Sequence, residues 1–207
     1  MKTITQFGNV PIDISVLRAV LNNYQTPRNK VSRLENEGKL IRLKKGLYVV
    51  SPDLSGNLLS VELIANHLYG PSYVSMEGAL RYYGLIPEHV YNVRSMTVNR
   101  SKKFENQLGV FQYISVNPDY YSIGIKLETT EKYTFLIASP EKALCDMITS
   151  TRGLQLQSTK GIIEYLSDDL RFDMTALTGM DSTIFEQCAA MGKKTSTLKL
   201  LLKLIQR

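Results

Sequence analysis

The chain has 207 residues, 43% hydrophobic and 21% charged. This ordinary globular composition excludes a disordered protein and leaves length for one large domain or two small ones. No apolar run approaches the ~20 residues that cross a bilayer, and residues 1–6 form no apolar signal region, so a soluble, cytoplasmic protein with no membrane partner is expected. The net charge of +6 sits at one end: residues 1–50 hold nine Lys and Arg against three acids, while the other 157 residues hold sixteen of each sign. A basic head on a neutral body points to a polyanionic partner for the head.

The first predicted helix covers 13–21. Leu17, Val20, Leu21 and Tyr24 follow the spacing of one buried face, and Asp13 stands at the capping position. Thr26-Pro27 opens a second helix, with a capping hydroxyl before a proline that needs no N–H at the first position. This helix runs to about residue 37 and stops at Gly38. At about 100° per residue, Pro27, Val31 and Leu34 share the inward side. The outward side is centred on Asn29 and Asn36 and flanked by Ser32 and Arg33, with Arg28 and Lys30 at its edges. Amides, a hydroxyl and a guanidinium suit base edges and phosphates. Residues 39–43 and 47–50 are β-prone runs around Lys44-Lys45-Gly46, a hairpin with Leu40 and Leu43 inward and Arg42, Lys44 and Lys45 free to reach a phosphate backbone. Helix, helix and basic hairpin form the pattern of a winged helix-turn-helix. The alternative for the same residues is a small α/β subdomain with a solvated basic surface.

Residues 52–57 read as a polar linker and domain boundary. Helices are predicted over 58–68, with Leu59, Leu63 and His67 in register, and from Ser75 to Gly84, where Tyr82 and Tyr83 are assigned to core packing. Strands are predicted over 93–98, 109–116, 123–129 and 133–137. Arg94, Arg100, Lys102 and Lys103 cluster by the first of these, as a solvated loop or an extension of a binding surface. Ser139-Pro140-Glu141 opens another helix; Glu141 and Asp146 resemble an acid/base pair, but Glu141 lies in the first turn, where a carboxylate favours the helix dipole. Helices follow over 159–166, 182–191 and 195–205. The last is Leu-rich with Lys199 and Lys203 at its edge, and docking on the body or a partner is preferred to lying on a membrane surface. Cys145 and Cys188 sit in apolar patterns as buried free thiols, and His67 and His89 have no ligand partners at metal spacing. With no phosphate loop or nucleophile elbow, an enzyme has no residues to rest on, and neither cofactor nor metal is expected.

Three segments together resemble the AbiEi-type antitoxin family. Ser32-Arg33-Leu34 through Gly38-Lys39-Leu40 to Gly46-Leu47-Tyr48 is similar to its winged helix. Tyr73-Val74-Ser75, Ala79-Leu80 and Gly84-Leu85-Ile86-Pro87 resemble its second motif, and Pro140-Glu141-Lys142-Ala143-Leu144-Cys145-Asp146 its third, in the family's order. The resemblance covers about residues 26–150. It implies an antitoxin and transcriptional autoregulator of a type IV toxin–antitoxin (abortive infection) system, binding inverted repeats of double-stranded DNA in its own promoter, with a nucleotidyltransferase-like toxin as functional partner.

The expected protein is therefore α+β. A winged helix-turn-helix DNA-binding domain occupies 1–52, and a mixed antitoxin-like domain with a small, mostly antiparallel sheet and several helices occupies 58–207. Arg28, Asn29, Lys30, Ser32, Arg33, Asn36, Arg42, Lys44 and Lys45 are the expected DNA contacts. The competing readings are a winged-helix transcription factor whose C-terminal domain senses a ligand or oligomerises without a toxin, and an adaptor that binds no DNA.

Overall fold

The computed structural model describes residues 2–87 and 92–206, with side chains from Ile4 onward; His89 lies outside the described residues. The fold is α+β, with helices around a mixed sheet and a basic head built on its own small sheet.

The head comprises α1 (Lys2–Thr5), β1 (Ile12–Asp13), α2 (Ile14–Val20), α3 (Pro27–Asn36), β2 (Leu40–Lys44) and β3 (Leu47–Val50), with strand order β1-β3-β2. Asp13 caps α2 by accepting the Ser15 N–H at 2.8 Å. Helix α2 ends four residues short of Tyr24, which stays 44% exposed beneath the Lys30 ammonium instead of joining the buried face. At the end of α3, Gly38 takes φ +68°; its N–H reaches the Glu35 carbonyl and the Lys39 N–H the Leu34 carbonyl. This paired closure needs a left-handed residue that glycine supplies without strain. Val31 and Leu34 enter the head core with Leu17, Leu21, Leu40, Tyr48 and Val50, while Pro27 is only half-buried.

The β2–β3 hairpin has two buried faces. Leu40, Tyr48 and Val50 face the head core, whereas Ile41, Leu43, Leu47 and Val49 join the core of the body. Leu40 and Leu43 are both inward, as expected, but toward different cores. Residues 52–57, read as a linker, contain a helical turn, α4 (Pro52–Ser55). Polar contacts also fix the head: the Asn106 amide donates to the Leu43 carbonyl at 3.0 Å and Asn9 to the Leu58 carbonyl at 2.8 Å.

The body runs α5 (Val61–Leu68), β4 (Ser72–Val74), α6 (Met76–Tyr82), β5 (Asn92–Thr97), β6 (Lys102–Asn106), β7 (Gly109–Ser115), α7 (Pro118–Tyr121), β8 (Ile125–Thr129), β9 (Thr134–Ala138), α8 (Pro140–Ser150) and α9 (Thr159–Glu164). A π-helical turn, Tyr165–Asp169, and a 3-10 segment, Met174–Gly179, lead to α10 (Ser182–Met191) and α11 (Thr195–Ile205). Strand order is β6-β7-β5-β4-β9-β8. Pairs β4–β5, β6–β7 and β8–β9 are antiparallel, but β5–β7 and β4–β9 are parallel, so the sheet is mixed, with three of its five pairings antiparallel. Of the Tyr pair assigned to the core, Tyr83 packs against it partly buried, while Tyr82 is 43% exposed and meets Tyr83 and Phe135 edge-on.

A buried ion pair lies at the centre of the body. Lys142 and Asp146 share one face of α8, 3.5 Å apart, both with no side-chain exposure. The Ser75 and Tyr73 hydroxyls donate to Asp146 at 2.6 and 3.1 Å, and the Lys142 ammonium donates to the Tyr120 carbonyl at 2.8 Å. Because the Ser75 hydroxyl serves Asp146, it makes no cap bond to α6. Burial pushes the Asp146 carboxyl above its ordinary value, against the lowering pull of Lys142, Ser75 and Tyr73. Removing one member strands the other charge. Lys142→Met is expected to destabilise the fold by about 3–5 kcal/mol in urea denaturation, with Lys142→Met/Asp146→Leu recovering most of that loss. A double variant no more stable than the single would mean that the stranded charge is not the cause.

Candidate nucleic-acid interface

The outward side of α3 is set by its inward side. With Val31 and Leu34 buried, Arg28, Asn29, Ser32, Arg33 and Asn36 are all exposed and Lys30 is half-buried at the edge. Thr26 precedes Pro27 as expected, yet its hydroxyl makes no cap bond. The first-turn N–H groups of a helix then point outward without a side-chain acceptor, a suitable surface for an anion. Ser32 turns its hydroxyl back to the Arg28 carbonyl at 3.3 Å.

The C-terminal half of the face is internally neutralised. Arg33 Nε lies 2.7 Å and Lys39 Nζ 2.6 Å from the two oxygens of Glu37, and Arg42 lies 4.0 Å from Glu35. The Lys39 and Arg33 hydrogen bonds hold the Glu37 carboxyl at about 2, below the ordinary 4.5. Arg28 and Lys45 are exposed and form no ion pair among the described residues. The Lys30 ammonium lies 4.8 Å from the centre of the Tyr24 ring.

Lys44 departs from the expected arrangement. A β-bulge between Arg42 and Lys44 makes Lys44 the partner of Leu47. Cross-strand partners share a face, so Lys44 points with Leu47 toward the body, not with Arg42 toward solvent. Its ammonium donates to the Leu68 carbonyl at 2.5 Å and lies 5.7 Å from the Phe104 ring. Burial and the nearby Lys102 charge lower its pKa. Lys44 is thus a strut between hairpin and body.

The body cations divide similarly. Arg94 is ion-paired with Glu77, and Lys103 lies 3.5 Å from Glu105. Lys102 stacks over Phe104 and Tyr69, at 5.0 and 5.4 Å, while Arg100 is exposed. Arg94 lies in β5, Arg100 precedes β6, and Lys102 and Lys103 open β6, where the expectation was a solvated loop or an extension of a binding surface. A cleft of about 380 Å³ between head and β6 is lined by Arg42 and Lys44 but also by Glu35 and Glu105, a mixed-sign surface.

Elsewhere, Glu141 accepts the Asp181 N–H at 3.2 Å, and Cys145 and Cys188 are buried and not disulfide-bonded. His67 is exposed on the last turn of α5. Among the described residues no three His, Cys, Asp or Glu side chains gather as a metal site, and no helix is long and apolar enough to cross a membrane.

No protein-family model matches the chain. No curated protein matches it either. Among solved structures, the crystal structure of the RV2827C protein from Mycobacterium tuberculosis is similar, with 14% identity and a TM-score of 0.54 over 98% of this chain and 79% of that one. At that identity the likeness is one of fold.

The Glu37 arrangement is open to titration. A depressed folded pKa means that its contribution to stability is present above pH 4.5 and is lost as the pH falls through about 2. Carboxyl-detected NMR should show Glu37 titrating near pH 2, and Glu37→Gln should remove its share of the acid sensitivity in that window. Titration near 4.5 would mean that Arg33 and Lys39 do not hold it.

Proposed function

We propose that this protein is a DNA-binding transcriptional autoregulator of the AbiEi type, the antitoxin of a toxin–antitoxin pair. Its head acts as a winged helix-turn-helix. The observation that carries the reading is α3: an exposed Arg28, Asn29, Ser32, Arg33 and Asn36 face behind a buried Val31–Leu34 stripe, with an uncapped N-terminus. Such a helix can enter a major groove by its N-terminal half, with base edges met by Asn29 and phosphates by Arg28 and the first-turn amides. The hairpin then contributes through Lys45, because Lys44 is engaged with the body.

The motif resemblance supports the antitoxin assignment. Its second and third segments supply Tyr73 and Ser75, and Lys142 and Asp146, the four side chains of the buried cluster. A nucleotidyltransferase-like protein encoded beside this one would be the toxin; a neighbourhood without such a gene would turn the reading toward a regulator with no toxin.

Fluorescence anisotropy with the protein's own promoter DNA tests the interface. Arg28→Ala is expected to cost about 1–3 kcal/mol of binding. Lys45→Ala should reduce the salt slope by about one, whereas Lys44→Ala should lower stability and leave the slope unchanged. Glu37→Gln, which releases Arg33 and Lys39, should tighten binding. An α3 variant that binds as well as wild type would remove this helix from the interface.

A further inference from the structure

We propose that the body carries a second site, a cavity between α7, the C-terminal end of α8 and the α10–α11 turn, that binds a small amphipathic anion. The cavity encloses about 790 Å³, within the range of small-molecule pockets. Ile114, Val116, Leu154 and Met191 give it an apolar side, and Met191 is 55% exposed there. Arg152 and Lys193 line it, are exposed, and form no ion pair among the described residues. Among the described residues no Asp or Glu lines it. The lining therefore carries net positive charge although the body as a whole is neutral. An acyl or aromatic body with one carboxylate, sulfonate or phosphate head matches both surfaces. A duplex does not fit a concavity of this size.

The walls are held in place before any ligand arrives. Lys194, the third cation of the lining, does not compete for the anion, because its ammonium donates to the carbonyls of Ile148, Thr151 and Leu154, each at 2.9 Å. That clamp ties the end of α8 and the following loop to the start of α11. Gly192 has no room for a side chain: a Cβ would meet the Cys188 carbonyl at 2.5 Å and the Tyr120 ring at 2.7 Å. The turn therefore seats directly on Tyr120. The Tyr120 hydroxyl lies 3.4 Å from Thr149 Oγ1, and its carbonyl holds Lys142. The floor of the cavity is thus one wall of the buried ion-pair cluster. A site preorganised in this way loses little conformational entropy on binding.

The test uses the full chain and 8-anilinonaphthalene-1-sulfonate, an aromatic sulfonate whose fluorescence rises in an apolar site. A saturable single-site titration is expected. Decanoate should displace the probe, and decyltrimethylammonium, the same chain with a cationic head, should not. Arg152→Glu/Lys193→Glu, both exposed positions, should weaken binding by about tenfold or more. Ser150→Trp should abolish binding by filling the cavity, with the far-UV circular dichroism unchanged. Absence of saturable binding, equal displacement by both competitors, or an affinity unaltered by the charge reversal would each overturn the site. Should Ser150→Trp fail to fold, the charge reversal decides alone. The readout contains no DNA, so its failure and the failure of the DNA-binding reading are separate results.

Discussion

The ion pair between Lys142 and Asp146 lies fully buried in α8, and the body is organised around it. Asp146 accepts from β4 through Tyr73 and from the start of α6 through Ser75; Lys142 donates to α7 through the Tyr120 carbonyl. Three segments distant in sequence, the β4–α6 junction, α7 and α8, are thereby brought to one point. A charge in this position costs several kcal/mol unless all its partners are present, so the cluster penalises arrangements in which any of them is displaced.

That fixed body gives the head its orientation. The β2–β3 hairpin belongs to two cores at once, with Leu40, Tyr48 and Val50 on one side and Ile41, Leu43, Leu47 and Val49 on the other. Lys44 and Asn106 add polar ties at the same seam. A head mounted through its own sheet leaves α3 on the free side, where its basic and amide residues remain available. The seam also explains why the basic head contributes fewer free cations than its nine Lys and Arg suggest. Lys44 faces the body, and Arg33, Lys39 and Arg42 neutralise Glu37 and Glu35.

Local signals in the sequence carried most of the helices. Caps and stops depend on a few adjacent residues, so Asp13, Pro27, Gly38, Ser139 and the bounds of α10 and α11 were legible. Strands β4 and β6 were not. Three-residue β4 is too brief to show alternation, and β6 reads Lys-Lys-Phe-Glu-Asn because an edge strand needs no second buried face. The bulge at Leu43 was equally invisible: one extra residue turns Lys44 to the opposite face without altering composition. The i, i+4 spacing of Lys142 and Asp146 could be seen, but their hydroxyl partners lie some seventy positions upstream, and only the fold joins them.

On the proposed reading, α3, held outward by a hairpin locked to the body, is the element that meets DNA. Amide-resolved NMR of the full chain, with and without a duplex from its own upstream region, tests this most directly. The largest shifts are expected in residues 27–36 and at Lys45, with β4 and α8 unchanged. Shifts confined to the body sheet, with α3 silent at saturating duplex, would contradict it.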